Sequence, residues 1–207
     1  VQLCLRTDDI DEVGDATHNT FFEMLGFWSL GDYGKADSLR WTLEWFTAVL
    51  GLDRSRIAVT VFAGDADAPR DDEAISVWRD LGMPADRIFP LPKSDNWWGP
   101  AGQTGPCGPD SELFYDTLRP ACGPECRPGC GCGKWVEIGN NVFMEYRKTA
   151  AETFERLAQR NIDVGLGLER LLAMLNGAPD IYHTDLFAPI MALSLIHISE
   201  PTRQAEI

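Results

Sequence analysis

Apolar residues recur at helical spacing in some stretches and at alternate positions in others. Residues 161–175 read as a short strand, a glycine turn and an apolar helix. Leu168, Leu171, Leu172 and Leu175 fall at i, i+3, i+4 and i+7, which predicts one buried helical face. Gly165 and Gly167 stand just before it, where the backbone must turn or let something approach closely. Residues 34–50 predict a helix with Leu39, Leu43, Phe46 and Leu50 on one face and Gly51 as its stop. Residues 71–81 predict another, with Ala74, Val77, Trp78 and Leu81 inward and Gly82 closing it. Residues 149–160 read as a helical connector.

Strands are expected elsewhere. Residues 57–62 are rich in β-branched side chains, and residues 87–91 form a short strand between prolines. The aromatic run from Phe21 to Trp28 has the density of a buried strand whose end meets a ligand. In residues 135–146, Val136, Ile138, Val142, Met144 and Tyr146 alternate, and Asn140 interrupts that apolar face. A buried Asn must find partners. Residues 94–116 hold so many glycines and prolines that they predict a fixed loop, with Trp97 and Trp98 adjacent within it.

Composition narrows the classes. The 207 residues suffice for one domain with a core, and 44% hydrophobic and 24% charged content is ordinary for a globular protein. No apolar run reaches the length of a membrane span, and no signal peptide opens the chain, so the reading is cytoplasmic. A net charge of −14 argues against a nucleic-acid clamp, which needs clustered Lys and Arg. Asp163 and Arg170 flank the glycines with opposite charges. A polyanion beside an ammonium group would satisfy both. Of six cysteines, Cys122, Cys126, Cys130 and Cys132 cluster among Gly and Pro. Thiolates at this spacing suit a tetrahedral Zn²⁺ that pins a Cys-rich insertion over residues 120–133; four free thiols are the alternative. Glu137 reads either as a Mg²⁺ ligand or as a surface acid.

Several motifs occur in one order. Gly165, Gly167, Glu169 and Arg170 resemble motif 3 of class II aminoacyl-tRNA synthetases, and with Asp163 the form found in alanyl-tRNA synthetases. The run from Thr20 to Gly26, continuing to Gly31, Asp32 and Tyr33, is similar to that family's motif 2. Asp95, Asn96, Trp98, the run from Thr104 to Pro109, and Ser111, Glu112, Tyr115 and Asp116 are similar to a further hallmark run.

The resemblance implies an α+β class II synthetase core, an antiparallel sheet flanked by helices, over residues 1–192. It implies activation of alanine by ATP with Mg²⁺, then transfer to tRNA(Ala). Arg6 would hold the α-phosphate and the alanine carboxylate, because Arg presents a permanent, planar, bidentate cation. Phe21 or Phe22 would stack on adenine, with Arg170 at its other face or at the γ-phosphate, and Gly167 would line the nucleotide. Met24, Trp98, Asn140, Asp163 and Gly165 would bind the amino acid. Asp163 would take the ammonium and Gly165 would leave room for the methyl.

Two departures stand out. Between Arg6 and Gly14 the motif 2 loop carries Asp8, Asp9, Asp11 and Glu12 and no Lys. The residue before Asn140 is usually Trp in the family, and here it is Gly139, which is expected to enlarge or reshape the pocket.

The chain opens at Val1 without a Met, and the family's motif 1 would precede it. Residues 193–207 resemble the translation of a sequencing adapter and are expected to be non-native, with tRNA-recognition and editing regions beyond residue 192 in the parent gene. Three other readings follow from these features: a paralogue that activates another small amino acid, a non-catalytic module that keeps the fold and a zinc site, and a truncated remnant. Retention of both Arg6 and Arg170 speaks against the module.

Overall fold

Every side chain of Ile57–Phe62 is buried, as its β-branched run requires of a central strand. In the computed structural model, which describes residues 1–7, 10–15 and 17–199, this strand belongs to a unit made of Val1 and residues 25–166. The described residues of 2–24 and 167–199 make a second unit.

The first unit contains the second half of β2 (Phe21–Leu30), α1 (Lys35–Glu44), β3 (Ile57–Phe62), α2 (Asp72–Asp80), β4 (Ile88–Leu91), β5 (Trp97–Trp98), β6 (Gly105–Asp116), β7 (Trp135–Lys148) and β8 (Phe154–Gly167) except its last residue. Strands lie in the order β2, β8, β7, β6, β3, β4, with β5 on β6. The pairs β3–β6, β6–β7 and β7–β8 are antiparallel. The pair β3–β4 is parallel, so the sheet is mixed and not antiparallel throughout. The cause is α2, a crossover that returns the chain in the same direction.

One face of this sheet carries α1 and α2. Asn141 Oδ1 of β7 accepts hydrogen bonds from Ser38 and Thr42 of α1, both at 2.9 Å. Trp78 of α2 donates its indole N–H to Ser111 of β6 at 2.8 Å. Lys35 is buried at the start of α1, its Nζ 2.7 Å from Asp71 and 3.4 Å from Glu145. Leu39, Leu43, Phe46, Ala74 and Trp78 are buried as expected. Leu50, Val77 and Leu81 are only half-buried. For Leu50 the reason is the π-helical turn Trp45–Val49, which shifts the helical phase before the chain reaches it. Gly51 and Gly82 take positive φ and close the helices, as expected.

Two expectations fail here. The loop expected over residues 94–116 is confined to residues 94–96 and 99–104: Trp97 pairs with Pro109 and Trp98 with Gly108, and β6 runs from Gly105 to Asp116. Its Pro and Gly residues cluster where the register shifts between Cys107 and Asp110, and a bulge tolerates them. Gly108 has a further cause, since a Cβ there would lie 1.9 Å from the Phe143 carbonyl oxygen. Residues 149–160 form a turn and then β8, not a helix. Phe154, Glu155 and Arg156 pair with Lys148, Arg147 and Tyr146. The segment holds helix formers, but the ladder with β7 satisfies its backbone groups and overrides propensity.

In the second unit β1 (Gln2–Leu5) pairs antiparallel with the first half of β2. There follow α3 (Leu168–Asn176), a 3₁₀ turn at Ile181–His183 and α4 (Ala188–Ser199). The buried residues of α3 are Glu169, Leu171 and Ala173, while Leu175 is 41% exposed. The leucine stripe is thus not the buried stripe, because Glu169 turns inward to accept the Glu23 N–H at 2.7 Å. The helix α4 continues past residue 192 without a break, and Leu193, Leu195, Ile196 and Ile198 are exposed along it. Asp8 and Asp9 of the acidic loop and residues 200–207 of the tail lie outside the described residues. Among the described residues, no helix is long and apolar enough to cross a membrane.

Candidate active site

Strand register brings three expected amino-acid ligands onto one face of the first unit. Asn140 stands opposite Gly165, and Val142 opposite Asp163. Residues two apart in a strand share a face, so Asn140, Asp163 and Gly165 line the same side. Gly165 therefore sits within a strand and not in a turn. Burial pushes the Asp163 carboxyl up, opposed by a hydrogen bond from the Trp28 indole. No Lys or Arg among the described residues forms an ion pair with it. Burial raises the Tyr33 phenol as well, and the charges of Asp32 and Asp163 add to the rise.

Asn140 donates its Nδ2 to Asp110 Oδ2 at 3.3 Å. Among the described residues, its Oδ1 is buried with no hydrogen-bond partner. Asp110 also accepts from Asn96 Nδ2 at 2.9 Å, and the same amide reaches Thr60 at 2.8 Å. Burial pushes the Asp110 carboxyl up to about 7. The two amides oppose that rise, and the charges of Glu137 and Asp71 add to it. Glu137 is half-buried in β7, opposite Phe114. A buried acceptor without a donor, on one face with a carboxylate without a cation, is a pair that an ammonium satisfies.

Trp98 is 38% exposed in β5, and its neighbour Trp97 is the packed ring, 5.3 Å from Phe62 and 5.4 Å from Tyr146. Gly139 does not reshape this face. A Cβ there would meet Leu166 at 2.3 Å and Phe46 at 3.2 Å, on the side opposite Asn140. The missing side chain makes room for the π-helical turn and leaves the Asn140 face unchanged, which corrects the expected enlargement.

The second unit collects the expected nucleotide ligands. Phe21 is 48% exposed with one face on Phe187, ring centroids 5.1 Å apart. Phe22 and Met24 are half-buried on the opposite face of β2. Arg6 is exposed just after β1, and its backbone N–H bonds to Thr20 O at 2.8 Å. Arg170, in the first turn of α3 after Gly167, donates Nε to Thr17 O at 3.2 Å. Tyr182 donates its hydroxyl to His18 O at 3.0 Å, and His18 in turn meets Asp15 at 2.6 Å. Burial raises the Glu169 carboxyl, and the Glu23 N–H opposes that rise.

The insertion between β6 and β7 gathers four thiols. Cys122, Cys126, Cys130 and Cys132 have all four Sγ atoms within 4.8 Å of one another. Four of the Sγ pairs lie 3.9, 3.7, 3.7 and 3.3 Å apart. Tetrahedral thiolates about 2.3 Å from a Zn²⁺ stand roughly 3.8 Å apart, so this donor set fits the ion. The Lys134 N–H and the neighbouring thiols bring Cys132 down to about 7, which favours its thiolate. At the base Lys134 Nζ holds both Asp116 oxygens at 2.9 Å.

A family model described as tRNA synthetases class II (A) matches residues 1–206. The chain belongs to that class II tRNA synthetase family. It is 56% identical to the alanine–tRNA ligase of Treponema denticola over 193 residues, covering 92% of this chain and 32% of that protein. It is 52% identical to the alanine–tRNA ligase of Treponema pallidum, with the same shares. The chain thus spans about a third of the length of the curated relatives it matches. Among solved structures, apo S. aureus histidyl-tRNA synthetase aligns with a TM-score of 0.46 and 16% identity, over 76% of this chain and 41% of that one.

Sequence reasoning missed Trp28 and Asp110 in this synthetase chain. Trp28 lay inside an aromatic run and carried no separate signal. Gly26 was the available clue: a Cβ there would lie 2.8 Å from the Trp28 ring. Asp110 was hidden in a stretch read as loop. Once that stretch is a strand, the spacing from Asp110 to Glu112 puts both acids on one face.

Proposed function

We propose that this chain is the part of an alanine–tRNA ligase that activates alanine with ATP. The observation that carries the reading is the pairing on one sheet face of the partnerless Asn140 Oδ1 with the uncompensated Asp163 carboxylate. The names and identity of the relatives support it.

An alanine carboxylate oxygen attacks the α-phosphorus of ATP. The new O–P bond forms as the bond to the bridging oxygen breaks, and pyrophosphate leaves with the electron pair. Asp163 and Asn140 take the ammonium, Gly165 leaves space for the methyl, and Met24 and Trp98 bound the amino acid. Arg6 grips the α-phosphate and the alanine carboxylate, and Arg170 meets the γ-phosphate. Phe21 is the better adenine platform, because its ring is half exposed. Gly167 brings backbone near the nucleotide. No side chain is a nucleophile; the chain positions reactants and stabilises charge. Glu137 would help hold Mg²⁺, which when bound would neutralise charge at the phosphates. Transfer to tRNA(Ala) belongs to the full-length protein, in a cytoplasmic setting.

Amino-acid-dependent ATP–pyrophosphate exchange by the full-length protein containing this sequence tests the reading. Exchange is expected with alanine and not with glycine or serine at equal concentration. Arg170→Ala is expected to lower kcat/KM by roughly 100-fold or more, as loss of one transition-state donor does. Exchange driven by glycine or serine but not alanine would overturn the substrate, and none at all would overturn the activity.

We also infer that Cys122, Cys126, Cys130 and Cys132 hold one structural Zn²⁺. The purified protein is expected to contain one zinc per chain and Cys130→Ser to lose it, read by elemental analysis. A zinc-free preparation with an unchanged melting temperature would refute this.

A further inference from the structure

A buried carboxylate in a central strand is costly, and Asp110 is 3% exposed. Among the described residues no Lys or Arg is a hydrogen-bond partner of it; it is held by two side-chain amides, Asn96 at 2.9 Å and Asn140 at 3.3 Å. An amide can face an ionised carboxylate only with its N–H₂. Asp110 therefore fixes which end of Asn140 points away from β6. With Nδ2 committed to Asp110, Oδ1 is left as an acceptor, and it is the buried atom without a partner. Across the ladder from Asn140 stands Gly165, which has no side chain to fill the space. An isolated Asn could present either end to a ligand, and only the Oδ1 end receives an ammonium. Asn96 is itself oriented by Thr60 at 2.8 Å, so the chain Thr60–Asn96–Asp110–Asn140 passes one polarity from β3 to the ligand face.

We infer that Asp110 is a positioning residue for the amino-acid substrate, holding the Asn140 amide so that Oδ1 receives the α-ammonium; this rests on the amino-acid activation proposed above. The residue touches no reacting atom and acts through Asn140 alone. Its replacement therefore changes how the amino acid is held and leaves nucleotide binding in place.

Asp110→Asn is the sharpest test, because it keeps the shape and supplies an N–H₂ that can bond Asn140 Oδ1 and invert that amide. The readout is ATP–pyrophosphate exchange by the full-length protein containing this sequence, with KM measured separately for alanine and ATP. The variant is expected to raise KM for alanine by ~10-fold or more, the loss of one hydrogen bond to a charged group. KM for ATP is expected to stay within ~2-fold. The double variant Asp110→Asn, Asn140→Asp restores an acceptor to the ligand face, and recovery of most of the alanine KM is expected. Asp110→Ser, small and uncharged, is measured alongside and is expected to show the same selective rise, so if one variant misfolds the other still decides. Equal changes in both KM values, or none in either, would overturn the inference while wild-type exchange leaves the activation reading standing. Absence of wild-type exchange would remove both.

Discussion

Replacing Lys35 by Met is expected to destabilise the protein by about 3–5 kcal/mol, the cost of stranding buried charges by removing one partner. The ammonium sits 2.7 Å from Asp71, 3.4 Å from Glu145 and 3.7 Å from Glu73. It also lies 4.3 Å from the Phe143 ring centroid. Both Lys35 and Asp71 are 6% exposed, so water cannot take over when the cation goes. Arg160 is no substitute: it is exposed and reaches Glu145 only at 3.9 Å. Met keeps the length and the apolar stem, so the change isolates the charge. Asp71 also caps α2 by accepting the Ala74 N–H at 3.0 Å, so its loss of a partner is felt by the crossover that makes β4 parallel. Whole domains hold only about 5–15 kcal/mol, so the loss is a large fraction of the total. Urea unfolding of the variant against wild type measures it. A difference under about 1 kcal/mol would show that the ion cluster is not the clasp of α1 to α2 and β7. Lys35→Arg, which keeps a cation, is expected to lose much less.

The helices and central strands were legible because their periodicities are local. Residues 57–62 could only be a buried strand, and the glycines at 51 and 82 stop helices wherever they occur in this pattern. What failed was non-local. The segment after residue 153 is composed for a helix, yet β7 needs a partner for its backbone groups, and a hairpin supplies it. The stretch around Gly108 looked like a loop because Gly and Pro are usually punctuation. Here Gly108 is demanded by a carbonyl on the adjacent strand, which no local reading contains.

The site divided in the same way. Asp163, Asn140, Gly165 and Arg170 were visible through a motif resemblance, and the register places the first three on one face. The four thiols were visible by spacing alone, since so few residues lie between them that convergence is nearly forced. Trp28 and Asp110 were not visible. Each is hydrogen-bonded to a partner distant in sequence, Trp28 to Asp163 and Asp110 to Asn140. Gly139 failed in the opposite sense: its departure from the family was plain, but strand alternation places it against Phe46, away from the ligand face.

Asp110→Asn is expected to change how stability depends on pH, by an amount close to that of Lys35. The Asp110 carboxyl is lifted from 3.8 to about 7 by burial, against the two amides and with the charges of Glu137 and Asp71. Between those values the folded protein holds a proton that the unfolded chain has released. Stability therefore falls as pH rises through this window and is level above it. A rise of roughly three pH units corresponds to about 4 kcal/mol. The Asn variant lacks this contribution. Asp163 and Glu169, also raised, are common to both proteins and cancel in the comparison. Urea unfolding from about pH 4.5 to 8 is expected to show wild type losing stability relative to the variant, most of it below about pH 7. Parallel curves would mean that the carboxyl is not held up by its site. A variant more stable near neutral pH yet poorer in alanine KM would mark Asp110 as a charge kept for function at a cost to folding. The two ion sites are also linked, because Asp71 repels Asp110 and Lys35 neutralises Asp71. Removing Lys35 should move the Asp110 window to higher pH, so the effects of Lys35→Met and Asp110→Asn will not add.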